Sequence, residues 1–197
     1  MATDTIKAQI RREMRNRRKA VSAADRRAVS HEICAALLQR TDVVRAIESA
    51  MPIAVYLAAP QEIDLDPFVA AVLARGGRIV APRWNGSVYE LAEVTGLGAA
   101  DLTIGPMNIR EPKADSPRCA SEAVAVWILP GLAFTRDGVR LGYGGGWYDR
   151  LLASVAADVP KLGVAYDFQV VEDLPTESHD IRLTDVVAAK GADDANG

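Results

Sequence analysis

Hydrophobic residues at helical spacing mark two helices at the start of the chain. Ile6, Ile10 and Met14 recur every four residues and form one apolar stripe, which we expect to pack on the protein body. A basic stripe runs beside it and consists of Lys7, Arg11, Arg15 and Arg18. A second helix is predicted from a Ser22 cap to about Gln39, with apolar positions at Val29, Ile33 and Leu37. The predicted N-terminal helix is therefore apolar on one side and positively charged next to it.

Short, continuous apolar runs predict strands that are buried on both faces. The run from Ile53 to Leu57 follows a proline, and Arg78 to Ala81 forms the next strand. Between them, Asp66 is a suitable N-cap, Pro67 suits the first helical position and Gly76 suits the stop. This unit of strand, helix and strand predicts a parallel pair with a right-handed crossover.

The second half of the chain alternates in the same way. Strands are predicted at 88–92, 124–129, 162–166 and 186–189, and a helix at 147–157. Residues 101–118 are rich in Pro, Gly and charge, so we expect an irregular surface excursion there. The pattern predicts a single α/β domain over residues 1–190 that begins with the basic helix. We expect residues 191–197 to be a frayed tail.

The most informative segment starts at the end of the strand 124–129 and reads LPGLAFTRDGVRLGYGGGWYDR over 129–150. Directly before the predicted helix lie four glycines, Gly142, Gly144, Gly145 and Gly146. Backbone N–H groups of such a loop can turn toward one anion. A tight turn between a strand and a helix would need no ligand. The flanking charges of Arg140 and Arg150 favour the phosphate site, at the strand end where open α/β sheets bind ligands.

The net charge of −3 conceals an asymmetry along the chain. Residues 1–27 carry nine Lys or Arg against three Asp or Glu, a charge of +6, and the remainder carries 14 against 23, a charge of −9. Such a basic segment has four alternative explanations: it binds nucleic acid, it binds a membrane surface, it binds a polyanionic small molecule, or it is a helix face exposed to solvent. The acidic body, without a second basic patch or an aromatic platform, argues against nucleic acid.

Composition restricts the compartment and the chemistry. No apolar run reaches the roughly 18 residues of a membrane span, and the N-terminus lacks the hydrophobic stretch of a signal peptide. The two cysteines, Cys34 and Cys119, are far apart in sequence, so neither a disulfide framework nor a zinc-ligand spacing is available. We expect a monomer in the cytoplasm that binds neither membrane nor nucleic acid.

Carboxylates near the predicted strand and helix ends are candidate ligand-binding groups. Asp149 lies in the first turn of the predicted helix, where it either complements the helix dipole or holds Mg²⁺ beside phosphates. Glu62 follows the first strand and is either a surface charge or an acceptor for a ligand. The pair His179-Asp180 is either a turn or a dyad. Hydrolytic nucleophile chemistry is disfavoured, because G-x-S-x-G and H-E-x-x-H are missing.

The glycine segment resembles the hallmark of the 5-formyltetrahydrofolate cyclo-ligase family, approximately P-G-x-A-F-D-x-x-G-x-R-L-G-x-G-x-G-Y-Y-D-R. Further stretches agree with this family in the same order: Lys7 to Arg11, Glu62 to Asp64, Ile109 to Pro112, Asp167 to Gln169, Leu174-Pro175 and His179-Asp180. The resemblance covers essentially the whole chain. It implies a three-layer α/β/α fold with a mostly parallel central sheet, related to phosphosugar isomerase and CoA-transferase folds.

The resemblance also implies a reaction that uses ATP and Mg²⁺. The substrate is 5-formyltetrahydrofolate, with or without a polyglutamate tail, and the products are 5,10-methenyltetrahydrofolate, ADP and phosphate. ATP phosphorylates the formyl oxygen, and N10 then attacks the activated carbon. The alternative is a catalytically weak relative that sequesters or senses folate or nucleotide.

Matching positions assign residues to each ligand through the resemblance. ATP would be bound by Lys7, Arg11, Arg140, Leu141, Gly142, Tyr143, Gly144, Gly145, Gly146, Trp147 and Tyr148, of which Lys7 and Arg140 would be catalytic. Folate would contact Leu57, Glu62, Trp147 and Tyr148, and Mg²⁺ would be held by Asp149 with Asp180. We expect the N-terminal helix to fold over the glycine loop, with its basic stripe toward the nucleotide.

Three positions depart from the family pattern. Trp147 stands where the family often has the first of two tyrosines, which keeps a ring for stacking on a pterin but removes a hydroxyl. Thr135 replaces an aspartate, and Thr184 replaces an acidic residue before the last strand. The change at Trp147 is the one expected to alter folate affinity.

Overall fold

The computed structural model describes residues 2–177 and 180–190. His179 and the predicted tail at 191–197 lie outside these residues. The described helices are α1 (Ala2–Ala20), α2 (Ala23–Leu38), α3 (Thr41–Glu48), α4 (Asp66–Ala74) and α5 (Trp147–Leu152). The strands are β1 (Pro52–Ala54), β2 (Arg78–Trp84), β3 (Tyr89–Val94), β4 (Leu102–Ile104), β5 (Arg110–Pro112), β6 (Arg118–Cys119), β7 (Val126–Leu129), β8 (Ala133–Phe134), β9 (Arg140–Leu141), β10 (Lys161–Tyr166) and β11 (Asp185–Ala189). Among these elements, no helix has the length and apolar character needed to cross a membrane.

A seven-stranded sheet forms the centre of the molecule, in the order β11-β10-β7-β1-β2-β3-β6. From β11 to β2 all neighbours are parallel, whereas β3 and β6 add an antiparallel edge. Strands β1, β7 and β10 are buried at every position, so both faces of the sheet are covered. The prediction of an α/β fold with a mostly parallel central sheet is confirmed.

The predicted unit of strand, helix and strand around residue 66 is present, with one correction. Strands β1 and β2 pair in parallel, and α4 lies between them in sequence. Asp66 is not the N-cap that the sequence predicts, because Leu65 occupies that position and α4 begins at Asp66. The carboxylate of Asp64 accepts the N–H group of Asp66 at 3.0 Å and supplies the cap from two residues upstream. Gly76, with a φ of 75°, follows the helix as predicted.

The face with which α1 packs differs from the predicted apolar stripe. Met14 is buried as expected and joins a small core cluster that includes Leu132. The prediction for Ile6 is wrong, because 49% of this residue is exposed. Instead, Lys7 and Arg18 are buried, with 8% and 6% exposed. Their long aliphatic stems cover apolar surface while the charged ends reach polar partners.

Several short elements are present where the sequence predicts none. Residues 101–118 are not wholly irregular: β4 and β5 form a hairpin, and β6 pairs with β3 at the sheet edge. Helix α3 and the hairpin of β8 and β9 were not predicted either. Strands of two or three residues are too short to show the alternation on which a sequence prediction depends.

Helix α5 ends at Leu152, five residues before the predicted end. The chain that follows is stabilised by Lys161, which is 3% exposed. Its amino group donates to the carbonyl oxygens of Ala156 at 2.8 Å and Val159 at 3.0 Å. These backbone acceptors are therefore satisfied without a further helical turn.

Candidate functional site

The glycine loop follows the hairpin of β8 and β9 and leads directly into α5. Gly144 and Gly146 have φ angles of 102° and 61°, which residues with a Cβ atom rarely adopt. A Cβ on Gly144 would also lie 3.6 Å from the guanidinium carbon of Arg11. The loop therefore requires glycine at Gly144 and Gly146 for backbone conformation, and α1 lies close to it as predicted.

A polar pocket of about 290 Å³ lies between this loop, α1 and the chain around residue 177; we call it the glycine pocket. It brings together every residue that the sequence assigns to ATP and magnesium: Lys7, Arg11, the run 140–148, Asp149 and Asp180. Glu177 and Asp4 also line it. Residues more than 130 positions apart thus converge as the sequence predicts.

The cations of the glycine pocket are held by carboxylates and by the loop backbone. The Lys7 ammonium lies 2.8 Å from Glu177 and 3.8 Å from Asp180. Arg140 Nη2 lies 2.8 Å from the Asp149 carboxylate. Arg11 donates from Nε to the carbonyl oxygen of Gly142 at 3.0 Å, which joins α1 to the loop.

Two buried polar atoms beside the glycine pocket have no hydrogen-bond partner within the described residues. They are Arg140 Nε and the Tyr148 hydroxyl oxygen. The guanidinium of Arg140 lies over the Tyr148 ring, 5.5 Å from its centroid. Buried polar groups in proteins are nearly always satisfied, so these donors fit a site that takes a polar ligand.

A second cavity, of about 300 Å³, adjoins the glycine pocket; we call it the aromatic cavity. Leu57 and Glu62, the two further residues assigned to folate, line it together with Tyr56, Tyr89 and Met107. The two cavities share three lining residues, Tyr143, Trp147 and Tyr148. Ligands in the two cavities would therefore meet at these rings.

Aromatic rings form a continuous series that begins in the wall of the aromatic cavity and extends beyond it. The Trp147 ring stacks on Tyr148 with 3.8 Å between centroids and lies 4.8 Å from Tyr89. Trp84 continues the series at 5.2 Å from Tyr89. Trp147 thus preserves an aromatic surface at the position where the sequence departs from the family pattern.

Glu62 is buried at the base of the aromatic cavity, with 8% exposed. One carboxylate oxygen accepts the backbone N–H group of Ala59 at 2.8 Å, and the other accepts the Tyr143 hydroxyl. Arg18 Nη2 lies 4.0 Å from the latter oxygen. Burial and the nearby Glu62 charge raise the pKa of Tyr143, and burial likewise raises the pKa of Tyr148. Both phenols are therefore neutral hydrogen-bond donors at physiological pH.

Sequence reasoning missed several residues that line or support the aromatic cavity. Arg18 belongs to the predicted basic stripe, but no spacing in the sequence assigns it to a site. Arg110 and Glu111 line the cavity from β5, and the Arg110 guanidinium makes two hydrogen bonds with the Asp66 carboxylate, of 2.7 and 2.8 Å. The signal was present in the stretch Ile109 to Pro112, which agrees with the family, although nothing local indicates what it contacts.

The carboxylates of the glycine pocket are suited to a small divalent cation only in combination with a phosphate ligand. In the part of the chain that the structure describes, three or more His, Cys, Asp or Glu side chains nowhere form a metal-binding group. Mg²⁺ commonly takes one or two carboxylates together with phosphate oxygens and water. Asp149 and Asp180 line the same pocket, and this donor set fits such a cation.

The two adjoining cavities include Leu57 and Pro130, which follow the central strands β1 and β7. A polar pocket joined to an aromatic cavity at this place has the form of an α/β enzyme site with room for a polar ligand next to an aromatic one. The chain belongs to the 5-formyltetrahydrofolate cyclo-ligase family, whose sequence model matches residues 3–189. The 5-formyltetrahydrofolate cyclo-ligase of Escherichia coli (strain K12) is 30% identical over 177 residues, which are 88% of this chain and 95% of that protein. The cyclo-ligase of Mus musculus is 22% identical over 197 residues, with 95% of each chain covered.

Solved structures agree with this assignment. The 5,10-methenyltetrahydrofolate synthetase of Aquifex aeolicus superimposes with a TM-score of 0.81 at 32% identity, and the match covers 93% of this chain and 89% of that one. The corresponding protein of Mycoplasma pneumoniae has the same fold, with a TM-score of 0.70 at 21% identity over 92% of this chain and 97% of that one.

Proposed function

We propose that the chain catalyses the ATP-dependent cyclisation of 5-formyltetrahydrofolate to 5,10-methenyltetrahydrofolate, with release of ADP and phosphate. The observation that carries this proposal is the pair of adjoining cavities, one polar and one aromatic, that share Tyr143, Trp147 and Tyr148. Such a reaction requires a triphosphate and a pterin to meet at their reacting ends. The shared wall provides one place for this meeting.

ATP binds in the glycine pocket in this proposal. Lys7, Arg11 and Arg140 supply positive charge, and residues 141–148 of the glycine loop line the pocket, where backbone N–H groups would contact phosphate oxygens. Lys7 and Arg140 are the catalytic cations, because phosphoryl transfer depends chiefly on positioning and on positive charge near the transferring group. Membership of the family implies the use of ATP.

Magnesium is held by Asp149, with Asp180 as a second carboxylate, when the triphosphate is present. A bound divalent cation supplies charge neutralisation for the phosphate oxygens. Arg140 is paired with Asp149, and Lys7 lies 2.8 Å from Glu177 and 3.8 Å from Asp180. With ATP bound, both basic side chains would exchange these carboxylates for phosphate oxygens.

The folate occupies the aromatic cavity. Its pterin stacks against Trp147 and Tyr148, Leu57 provides an apolar contact, and Glu62 accepts a hydrogen bond from a pterin N–H group. A formamide carbon is a poor electrophile, so the formyl oxygen is first phosphorylated by ATP. N10 then attacks this carbon and gives up its proton, the five-membered ring closes, and the bond from carbon to the phosphorylated oxygen breaks as phosphate leaves.

We propose a monomer in the cytoplasm that takes folate with or without a polyglutamate tail. The two cysteines are free, and Cys34 is buried, which is compatible with a reducing compartment. The non-catalytic alternative is not favoured, since Trp147 retains an aromatic surface in the cavity.

The direct test is an assay with protein, ATP, Mg²⁺ and 5-formyltetrahydrofolate. Methenyl absorbance is followed together with ADP release, and a non-hydrolysable ATP analogue replaces ATP in the control. We expect one ADP for each methenyl product and no product with the analogue. Tight folate binding without turnover would establish the sequestering alternative instead.

A further inference from the structure

Arg18 joins α1 to two other segments of the chain, the turn at residues 61–62 and the glycine loop at Tyr143. Its Nε atom donates to the carbonyl oxygen of Gln61 at 3.0 Å, and Nη1 donates to the Tyr143 hydroxyl at 2.7 Å. Nη2 lies 4.0 Å from Glu62. Only 6% of Arg18 is exposed. The side chain is therefore buried, although it belongs to the most basic segment of the chain.

The Tyr143 hydroxyl is the middle member of this network. It accepts from Arg18 and donates to Glu62, and its ring lies between the glycine pocket and the aromatic cavity. Because the hydroxyl oxygen accepts a hydrogen bond from the guanidinium, its own proton is free to point only toward the carboxylate. The carboxylate of Glu62 is thereby fixed in one orientation.

The backbone before Glu62 is held by the same guanidinium. Gln61 has a φ of 67°, an uncommon value for a residue with a side chain. Its carbonyl oxygen is the acceptor of Arg18 Nε. Gln61 lies within the turn from Ala59 to Glu62, in which the Ala59 N–H group donates to the Glu62 carboxylate. Arg18 thus controls both the main chain and the side chain that present Glu62 to the aromatic cavity.

Two lone-pair positions of the Glu62 carboxylate are used by Ala59 and Tyr143. A carboxylate offers about four such positions, and Glu62 lines the aromatic cavity. We propose that Arg18 is a positioning residue for folate, which orients the Glu62 acceptor through Tyr143 and Gln61 without contacting the substrate. This inference rests on the proposed function, because it takes the Glu62 partner to be a pterin N–H group.

The inference is tested by measuring the KM of each substrate separately in Arg18→Gln. Losing a hydrogen bond to a charged group should raise the KM for 5-formyltetrahydrofolate by roughly 10- to 100-fold. The KM for ATP should change less, within about threefold of the original, because Arg18 does not line the glycine pocket and its partner Tyr143 is only one of the many residues that do. Arg18→Lys keeps the charge but not the forked geometry, so it should restore the folate KM only in part.

A merely structural role would give a different result. If Arg18 acts only by holding α1 on the protein body, its loss would also displace Lys7 and Arg11 on the same helix. The KM for ATP would then rise as much as the KM for folate. The matched control is Arg17→Gln, which removes a contact of α1 with Phe168, 4.5 Å from guanidinium to ring centroid, but touches neither Glu62 nor Tyr143. Equal losses for both substrates, or the same folate defect in Arg17→Gln, would overturn the inference.

A double-mutant cycle distinguishes positioning through Tyr143 from an independent effect. Tyr143→Phe alone should raise the folate KM, and Arg18→Gln with Tyr143→Phe should add little to it, because both changes break one network. Fully additive losses would contradict the proposal. Failure of the proposed function is distinguishable: the original protein would then show no turnover, while folate titrations monitored by tryptophan fluorescence would still compare Arg18→Gln with Arg17→Gln.

Discussion

The Asp149 carboxylate lies 2.8 Å from the Arg140 guanidinium, on the wall of the glycine pocket that carries the family motif. The Arg140 side chain is 5% exposed and that of Asp149 is 33% exposed. Each therefore neutralises the charge that the other would present to a ligand. In the proposed function, a triphosphate would compete for Arg140 and a divalent cation for Asp149, so that binding of the two together would exchange this pair for two new contacts.

Asp149→Asn should make turnover depend on higher magnesium concentrations. An amide is a weaker ligand for a hard cation than a carboxylate, and we expect the Mg²⁺ concentration for half-maximal rate to rise by at least about tenfold. The measurement is a Mg²⁺ titration at saturating ATP and folate. Asp158→Asn is the control, since Asp158 is exposed and outside the pocket. An unchanged titration would remove Asp149 from the metal site.

Glu177→Gln should lower the KM for ATP. The Lys7 ammonium lies 2.8 Å from Glu177, whose side chain is 42% exposed, and this carboxylate competes with phosphate for the same cation. A partly exposed ion pair contributes about 0.2 to 1 kcal/mol, so the KM for ATP should fall by roughly 1.4- to fivefold. Kinetics at varied ATP check this value. A higher KM would show that Glu177 assists the nucleotide.

Lys7→Ala should act in the opposite direction, through loss of a buried charge-assisted phosphate contact. We expect kcat/KM for ATP to fall, with a loss of about 2 to 4 kcal/mol of transition-state stabilisation. Arg140→Ala should behave in the same way. The matched control is Arg15→Ala on the exposed side of α1, which should leave ATP kinetics unchanged. Unaltered ATP dependence in both pocket variants would show that the nucleotide site is wrongly assigned.

The sequence predicts the strands and the glycine loop because their signals are local. Continuous apolar runs produced β7 and β10, and the glycines before Trp147 form the expected loop. The local sequence does not determine which face of α1 packs on the protein body. Ile6 is the more hydrophobic residue, yet Lys7 is buried, because Glu177 and Asp180 supply partners from the far end of the chain.

The aromatic cavity could be predicted only in part for the same reason. Leu57 and Glu62 follow a recognisable strand, whereas Arg110 and Glu111 lie on a three-residue strand whose position depends on pairing with β4. The connection of Arg18 to Glu62 spans three segments of the chain. Without the folded sheet, no spacing in the sequence indicates that these two charges meet.

Trp147→Ala should weaken folate use, while Trp147→Tyr should preserve it. The ring stacks on Tyr148 and lies near Tyr89, and aromatic contacts contribute about 0.5 to 1.5 kcal/mol beyond burial, or roughly 2- to 13-fold in KM. Trp84→Ala is the control, because Trp84 is in the ring series but does not line the cavity. A larger change in the ATP KM than in the folate KM would place Trp147 on the nucleotide side.

Buried tyrosines should make the protein less stable at alkaline pH. Burial raises the pKa of Tyr56 and of Tyr148 well above the ordinary value of 10. The unfolded chain therefore releases these protons near pH 10 while the folded protein retains them. Each phenol therefore makes its full contribution to the free energy of unfolding below about pH 10. Above this pH the contribution decreases, by up to about 1.4 kcal/mol per pH unit.

Tyr56→Phe isolates one of these contributions. The Tyr56 hydroxyl donates to the carbonyl oxygen of Ile63 at 2.7 Å, so its removal should lower the free energy of unfolding by about 1 to 2 kcal/mol near neutral pH. Above about pH 10 the original protein loses the same contribution, and the difference between the two should shrink. Urea unfolding at increasing pH measures this difference. A gap that stays constant through the alkaline range would mean that Tyr56 ionises equally readily in the folded and unfolded chains.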